Sequence, residues 1–320
     1  MTTIVRGESL LKFYRVIEGW LPWSLRKDVM EKIEHLLREV YDHRVSDTKP
    51  FITGQDAPHF ELHMLIGKRH VGMCLWAVKS FLHFSGQRYH IVLHDDGTLG
   101  QEDVGKLSAH LPNVKVILRA DADRAMAGKL ADYPLCKTFR FSVVETANHR
   151  GQKYNMFIMS LILLDMNLLS NAEKIMILDA DVLFFKKPVE LIQWVNDQEG
   201  QGNLYSVEKF RPYRDNQNRL RFDLKPAETL NSGLLCYRPK TVMDLPTLEK
   251  WISENRDLMY TSPVFEQLAY SYLIRRQPQS RALPGEVYAF NYTSQDVTAS
   301  HFGMKRQFFE NIPRIESLLR

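Results

Sequence analysis

The run LDADVLFF, residues 178–185, sets two aspartates, Asp179 and Asp181, one residue apart inside a stretch otherwise built for a buried strand. A buried carboxylate is costly unless a cation or a metal compensates it. In a strand, residues i and i+2 share a face, so the two carboxylates are expected to converge on one point. Held together, they repel unless a proton or a cation sits between them. Oxygen donors favour hard divalent ions, which commonly bind through one or two carboxylates plus substrate phosphates. The motif therefore points to Mn²⁺ or Mg²⁺ and to a phosphate-bearing ligand. A second Asp-x-Asp, Asp121 and Asp123 in RADADRAM (119–126), has no apolar run beyond it, and Asp123 is read as the cap of the helix that begins there.

Outward from this motif, strands and helices alternate. FELHMLIG (60–67) reads as a strand and VGMCLWAVKSFLHF (71–84) as a helix with Leu75, Val78 and Leu82 on its inner face. YHIVLHDDG (89–97) is a second strand. Thr98 and Gln101 form a Thr-x-x-Gln capping box for the next helix. NVKVILRA (113–120) is a third strand, NMFIMSLILLDMNLL (155–169) a long helix, and KIMILDADVLFF (174–185) a fourth strand. This order predicts an α/β fold, a mostly parallel sheet with helices on both faces. Later, 203–210 and 231–239 read as strands, 242–256 and 264–275 as helices, and the tail as a loop and a short helix. In open α/β sheets ligands bind beyond the carboxyl ends of the strands. Those ends carry Gly67-Lys68-Arg69-His70, Asp95-Asp96-Gly97 and Asp179-Ala180-Asp181.

Before residue 50, Leu10, Leu11, Tyr14, Ile17 and Leu21 mark one helix and Val29, Ile33, Leu36, Leu37 and Val40 another, with Pro22 between them. A turn-rich linker follows. The expected organisation is an N-terminal helical extension over 1–50, a main domain over 59–310 and a tail over 311–320. Phe13, Tyr14, Trp20 and Trp23 lie near Lys12, Arg15, Arg26 and Lys27, a mix that suits packing on the main domain, self-association or peripheral membrane contact.

The chain has 320 residues, 44% hydrophobic and 25% charged, as a globular protein does, and its net charge of +4 is too slight to indicate nucleic acid. Cys74, Cys136 and Cys236 form no CxxC pair and read as buried free thiols of a reducing compartment. The longest apolar stretch, 156–169, contains Asp165 and is too short to span a bilayer. No secretory signal is legible, so the expectation is a cytoplasmic protein, at most peripheral to a membrane.

Taken together, ILDADVLFFKKPVEL (177–191), LNSGLLCYRP (230–239), FEQLAYSYLI (265–274) and SHFGMKRQFF (300–309), with IVLHDDGTL (91–99) before them, resemble nucleotide-sugar glycosyltransferases of the GT-A fold, especially the glycogenin-like and bacterial galactosyltransferase-like members. The resemblance covers about residues 59 to 310. It implies a Rossmann-like GT-A domain that transfers a hexose from a nucleoside diphosphate sugar, with uracil as the base, to a hydroxyl on a glycan, lipid or protein. It further implies Asp179, Asp181 and His301 as metal ligands. Asn231, Ser232 and Gly233 would line the donor sugar, and Glu266 and Gln267 would face the sugar or acceptor. Gly67, Lys68, Arg69, Asp95 and Asp96 would border the nucleotide, with Ala180 and Gly303 beside the diphosphate. Lys305 would neutralise the leaving group. The loop HFGMKRQ is one residue shorter than the family's between histidine and glycine, so Arg306 is the alternative cation. The family's basic residue before Asp-x-Asp has Lys153 as its nearest counterpart. YSVEKFRPYRDNQNRLR (205–221), with five basic and two acidic residues, reads as a solvated loop or as an acceptor loop for an anionic substrate.

Two other functions fit the Asp-x-Asp. A haloacid-dehalogenase-like phosphatase would use Asp179 as nucleophile, but it needs a later paired acid, and none follows. A non-catalytic nucleotide-sugar binder would keep the fold without turnover.

Overall fold

A computed structural model of the chain describes residues 7, 9–14, 16, 23–54, 56–142, 145–147, 153–197, 199, 200, 202–208, 229–262 and 264–320. Its frame is a seven-stranded sheet built from β1 (Phe60–Ile66), β2 (His90–Asp95), β3 (Lys115–Ile117), β4 (Lys174–Leu178), β6 (Leu204–Glu208), β7 (Thr229–Tyr237) and β8 (Arg281–Ala282). The strand order is β8-β6-β7-β4-β1-β2-β3. β4, β1, β2 and β3 run parallel, as do β8 and β6, while β7 is antiparallel to both its neighbours. The mostly parallel sheet expected from the alternation is present.

Alternation along the strands feeds two cores. Phe60, Leu62, Met64 and Ile66 of β1, with Met176 and Leu178 of β4, face a layer that includes Leu75, Val78 and Leu82 of helix α2 (Val71–Ser85). Ile175 and Ile177 of β4, with Leu235 and Tyr237 of β7, face the other layer, which includes Leu268 and Tyr270. Burial on both faces is what a parallel sheet requires of its strands.

Helix α1 (Trp23–Val45) joins the first core through Ile33, Leu37 and Tyr41. Tyr41 stacks on Phe309 at 5.3 Å between ring centroids, and Arg44 Nε donates to Glu316 Oε1 at 2.9 Å. These partners lie on the two C-terminal helices, Lys305–Asn311 and Pro313–Leu319. Full burial of side chains such as Leu37 and Tyr41 contributes roughly 1.5–3 kcal/mol each, enough to hold α1 against the main domain. Leu11 and Tyr14 of the first segment are also buried in this core, whereas Ile17, Trp20, Leu21, Pro22 and Arg15 lie outside the described residues.

Four sequence expectations need correction. The run 174–185 is not one strand: β4 stops at Leu178, and β5 (Val182–Phe184) belongs to a separate three-stranded sheet with β9 (Tyr288–Phe290) and β10 (Ala299–His301). The C-terminal region is correspondingly a strand and two helices rather than a loop and one helix. The helix Gln101–His110 is capped at Gly100, whose N–H donates to Asp103 Oδ2 at 2.9 Å. Thr98 instead donates its hydroxyl to Asp96 Oδ1 at 2.6 Å. Asp123 lies inside the helix Arg119–Lys129, where it accepts from Arg119 Nε at 2.6 Å and Arg140 Nη2 at 2.9 Å. Its carboxylate is thus taken by two guanidinium groups in charge-assisted hydrogen bonds and not by the backbone N–H groups of a helix start. The three cysteines are buried and free. Among the described residues no helix is long and apolar enough to cross a membrane.

Candidate active site

The parallel register aligns the carboxyl ends of the central strands. Ile66 pairs with Asp95, and His63 pairs with Ile177, so the residues after β1, β2 and β4 emerge along one edge. At the end of β4 the chain turns: Val182 N donates to Asp179 O at 3.2 Å, and Asp179 N donates to Gly233 O at 2.9 Å. Asp179 and Asp181 therefore converge by a turn between two sheets, not by alternation within one strand.

The third member of the group arrives on β10. His301 pairs with Val182 across an antiparallel ladder, and Phe302 N donates to Asp181 O at 2.9 Å. His301 Nε2 stands 3.2 Å from Asp181 Oδ1 and 3.6 Å from Asp179 Oδ2. One ligand atom from each of Asp179, Asp181 and His301 lies within 4.8 Å of the others. Two carboxylates and an imidazole form a donor set that fits Mn²⁺, and Mg²⁺ with its preference for oxygen less fully.

The imidazole is oriented from behind. His301 Nδ1 lies 2.8 Å from Asn231 Oδ1, which also accepts from Gly233 N at 2.9 Å. Asn231 Nδ2 donates to Glu208 Oε2 at 3.0 Å. Asn231 Oδ1 is an acceptor, so Nδ1 carries a proton and Nε2 faces the acids, protonated against them in the protein alone and able to offer its lone pair to a metal once that proton leaves. A Cβ at Gly233 would meet His301 Nδ1 at 2.4 Å, which excludes any larger residue there. β7 presents these groups at an irregularity: Tyr205 opposes Leu235 but Ser206 opposes Asn231, so Ser232 to Leu234 are out of register with β6. Such bulges re-aim backbone and side chains beside sites.

Lys305 supplies the cation, with Nζ 2.5 Å from Asp181 Oδ2. Arg306 turns away, its Nη1 3.1 Å from Glu310 Oε1 and its guanidinium 5.5 Å from the Tyr14 ring centroid. Burial works to raise the Asp181 carboxyl, but His301 and Lys305 outweigh it and hold it well below the usual range. Asp179 goes the other way: burial, then the charge of Asp181, pushes it up against His301 and Lys305. His301 is raised because Asp181 and Asp179 together overcome the opposing effect of burial.

Glu266 and Gln267 open the helix Phe265–Arg275, and both are buried. Ser232 Oγ donates to Glu266 Oε1 at 3.0 Å, while Glu266 Oε2 is buried with no hydrogen-bond partner. Burial raises the Glu266 carboxyl to about 7 despite the Ser232 bond.

The other expected residues form a second group along the same edge. Asp95 is consumed by its own loop: Oδ1 accepts from the N–H groups of Gly97, Thr98 and Leu99, and Oδ2 from that of Arg119. Asp96 packs against Gly67, where a Cβ would meet its Oδ2 at 2.1 Å. Lys68 and Arg69 are exposed, and Lys68 N donates to Thr98 Oγ1 at 2.8 Å. Ala180 is half-buried between the acids, and Gly303 is exposed on the loop after β10. Lys153 lies on a short strand, and its side chain is outside the described residues, as are 209–221 of the basic loop. Sequence reasoning set His70 at a strand's carboxyl end but gave it no role. Burial, with the charges of Lys305 and Arg38, lowers its imidazole to about 4, and Asp181 and Asp96 act on it in the opposite sense. Its position directly after Gly67-Lys68-Arg69, at a strand's carboxyl end, was the available signal.

With this geometry in hand, the chain is similar to solved structures. One is galactosyltransferase LgtC in complex with donor and acceptor sugar analogues, at a TM-score of 0.51 and 12% identity over 81% of this chain and 96% of that one. Another is mouse xyloside xylosyltransferase 1 in its apo form, at 0.51 and 15% over 77% of this chain and 98% of that one. The fold is GT-A. No family model and no curated protein matches the sequence. In this GT-A chain the carboxyl edge of the sheet carries the Asp-Asp-His group, where the fold positions ligands. Neither likeness lends support to the haloacid-dehalogenase reading.

Proposed function

We propose that the protein is a metal-dependent glycosyltransferase of hexosyltransferase type, which moves a sugar from a nucleoside diphosphate sugar, with UDP as the carrier, to an acceptor hydroxyl. One observation carries the reading: Asp179, Asp181 and His301 meet within 4.8 Å at the carboxyl edge of a GT-A sheet. Solved proteins of this fold whose names are galactosyltransferase and xylosyltransferase support the class of reaction.

Asp179, Asp181 and His301 would hold a Mn²⁺ or Mg²⁺ ion, which supplies positive charge against the diphosphate leaving group. Breaking the bond from sugar to diphosphate builds negative charge on the leaving phosphate. Lys305 is the chain's own cation beside that point, and a fixed charge in a water-poor site is worth far more than one in bulk water. Its ammonium would pass from Asp181 to the leaving diphosphate. Asn231, Ser232 and Gly233 would border the donor sugar, and Glu266 would accept a sugar or acceptor hydroxyl through the unpartnered Oε2, with Gln267 beside it. Gly67, Lys68, Arg69, His70 and Asp96 would border the nucleotide, Asp95 would hold their loop, and Lys153, Ala180 and Gly303 would flank the diphosphate. The acceptor is a glycan, lipid or protein hydroxyl, oriented for attack by this wall of groups. We place the transferase unit at 59–310, with the N-terminal helices and the C-terminal tail as its packing partners, in a cytoplasmic protein that touches membranes only peripherally.

A thermal-shift panel of nucleotide sugars with and without Mn²⁺ tests the reading. Stabilisation is expected only when both are present, with one donor preferred. Equal melting curves throughout, with no donor turnover, would leave at most a fold without the reaction.

A further inference from the structure

The GT-A unit explains the acids at the sheet edge but not the cations on α1. Arg38 is half-buried, and its Nε is buried with no hydrogen-bond partner. Among the described residues no carboxylate lies within ion-pair distance of it. Burial, first, and the like charge of Arg69 lower its guanidinium, although Asp42 and Glu34 act to raise it. Arg38 and Arg69 together line a cavity of about 940 Å³, with Lys32, His35, Glu31 and Glu34 completing its polar wall. A half-buried guanidinium that shares a cavity wall with a second one and keeps a buried N–H unpartnered is a costly arrangement that a bound anion relieves.

The cavity adjoins the candidate active site. His70, next to Arg69, is subject to the charges of both Arg38 and Lys305, as well as those of Asp181 and Asp96. Among the described residues, none of Asp179, Asp181, His301 and Lys305 lines the cavity. Arg38 therefore stands apart from the metal ligands that would meet a donor diphosphate, and Arg69, at the outer margin of the nucleotide border proposed above, is the residue that the two sites share.

We propose that Arg38 and Arg69 bind a phosphate group carried by the acceptor, with the phosphate in the cavity beside α1 and the acceptor's sugar hydroxyls toward the site. The mixed lining favours a sugar phosphate over a bare anion: guanidinium groups grip phosphate in bidentate fashion, while Glu31 and Glu34 are acceptors for hydroxyls. Glu34 already accepts one, from Tyr14 Oη at 2.9 Å. The word acceptor rests on the transferase reading above; the phosphate site does not.

The test is calorimetric titration of the full chain with glucose 6-phosphate and with glucose, and co-sedimentation with phosphatidylcholine vesicles carrying or lacking phosphatidic acid. Binding of glucose 6-phosphate but not glucose is expected, weakened at least tenfold by Arg38→Gln or Arg69→Gln and by less than that by Arg38→Lys, which keeps the charge and loses the bidentate fork. Capture by phosphatidic acid vesicles alone, with the same sensitivity to the two substitutions, would support the phosphate site and assign its source to a lipid headgroup. No phosphate-dependent binding in either arm, or binding untouched by Arg38→Gln in a variant that melts as the wild type does, overturns the proposal. UDP-glucose with Mn²⁺ is titrated into the same protein. Failure there with phosphate binding intact removes the transferase reading and leaves the anion site standing.

Discussion

Lys305 Nζ sits 2.5 Å from Asp181 Oδ2, so the ammonium takes one oxygen of the carboxylate that His301 approaches at the other. The lysine thus stabilises the acid pair in the protein alone and competes with any divalent ion for Asp181. Lys305→Met is expected to tighten Mn²⁺ binding several-fold in the absence of donor. It should also lower kcat by about 10²-fold, the usual effect of removing one group that stabilises developing charge. Calorimetry and steady-state kinetics read the two effects, and a variant with weaker Mn²⁺ binding would contradict the competition.

Asp181→Ala removes the acid that both Lys305 and His301 address. Metal-dependent turnover should vanish, while the fold persists because the relief of repulsion with Asp179 offsets part of the lost pairing. Tm is expected to move by less than about 4 °C. Normal turnover in this variant would remove the metal assignment.

Gly233 leaves no room for a side chain, since a Cβ would stand 2.4 Å from His301 Nδ1 and 2.9 Å from Asn231 Oδ1. Gly233→Ala is expected to push the imidazole out of line and to lower Mn²⁺ affinity at least tenfold, at a stability cost of about 1–3 kcal/mol from overpacking. Chemical denaturation together with metal titration separates the two effects.

Glu266 gives a pH signature. Burial raises its folded carboxyl to about 7, above its ordinary value of 4.5. Between these values the folded protein keeps a proton that the unfolded chain has released. The contribution is present below 4.5 and is lost as pH rises toward 7, by at most about 1.4 kcal/mol per pH unit. Glu266→Gln should flatten this part of the stability profile and be more stable than the wild type above pH 7. Parallel profiles for the two proteins would show that the carboxyl is not raised.

Arg140 and Asp165 form a buried pair, with Nε 2.5 Å from Oδ1 and Nη2 2.6 Å from Oδ2. Arg140→Ala leaves Asp165 without its main partner and should cost about 3–5 kcal/mol. The double change Arg140→Met with Asp165→Leu is expected to recover most of that loss, as read by urea unfolding.

Much of this architecture was legible in the sequence because it depends on period. Alternating strands and helices gave the parallel sheet, and apolar flanks around Asp179 and Asp181 marked a strand end. The motifs of 230–239 and 300–309 brought Asn231, Gly233 and His301 to the same place as the acids. What was not legible depends on contacts between distant segments. The break after Leu178 arises because β5 finds its partner in β10, over a hundred residues later, and a three-residue strand carries no periodic signal. Asp123 looked like a cap because helix starts favour such residues, yet Arg140 on another helix recruits it. Arg38 gave no signal at all, since a lone basic residue on an amphipathic helix reads as solvated until the fold sets it against Arg69.

The packing of α1 has a mechanical consequence. Lys305 opens the helix Lys305–Asn311 that carries Phe309, and the next helix carries Glu316; these two residues are the seats of Tyr41 and Arg44. Helix α1 thus clamps the short lever at whose tip rides Lys305, the cation proposed for the leaving group. Shortening the protein at its front would slacken that lever, so a trimmed enzyme would be expected to grip its donor less firmly even with every sheet-edge residue intact.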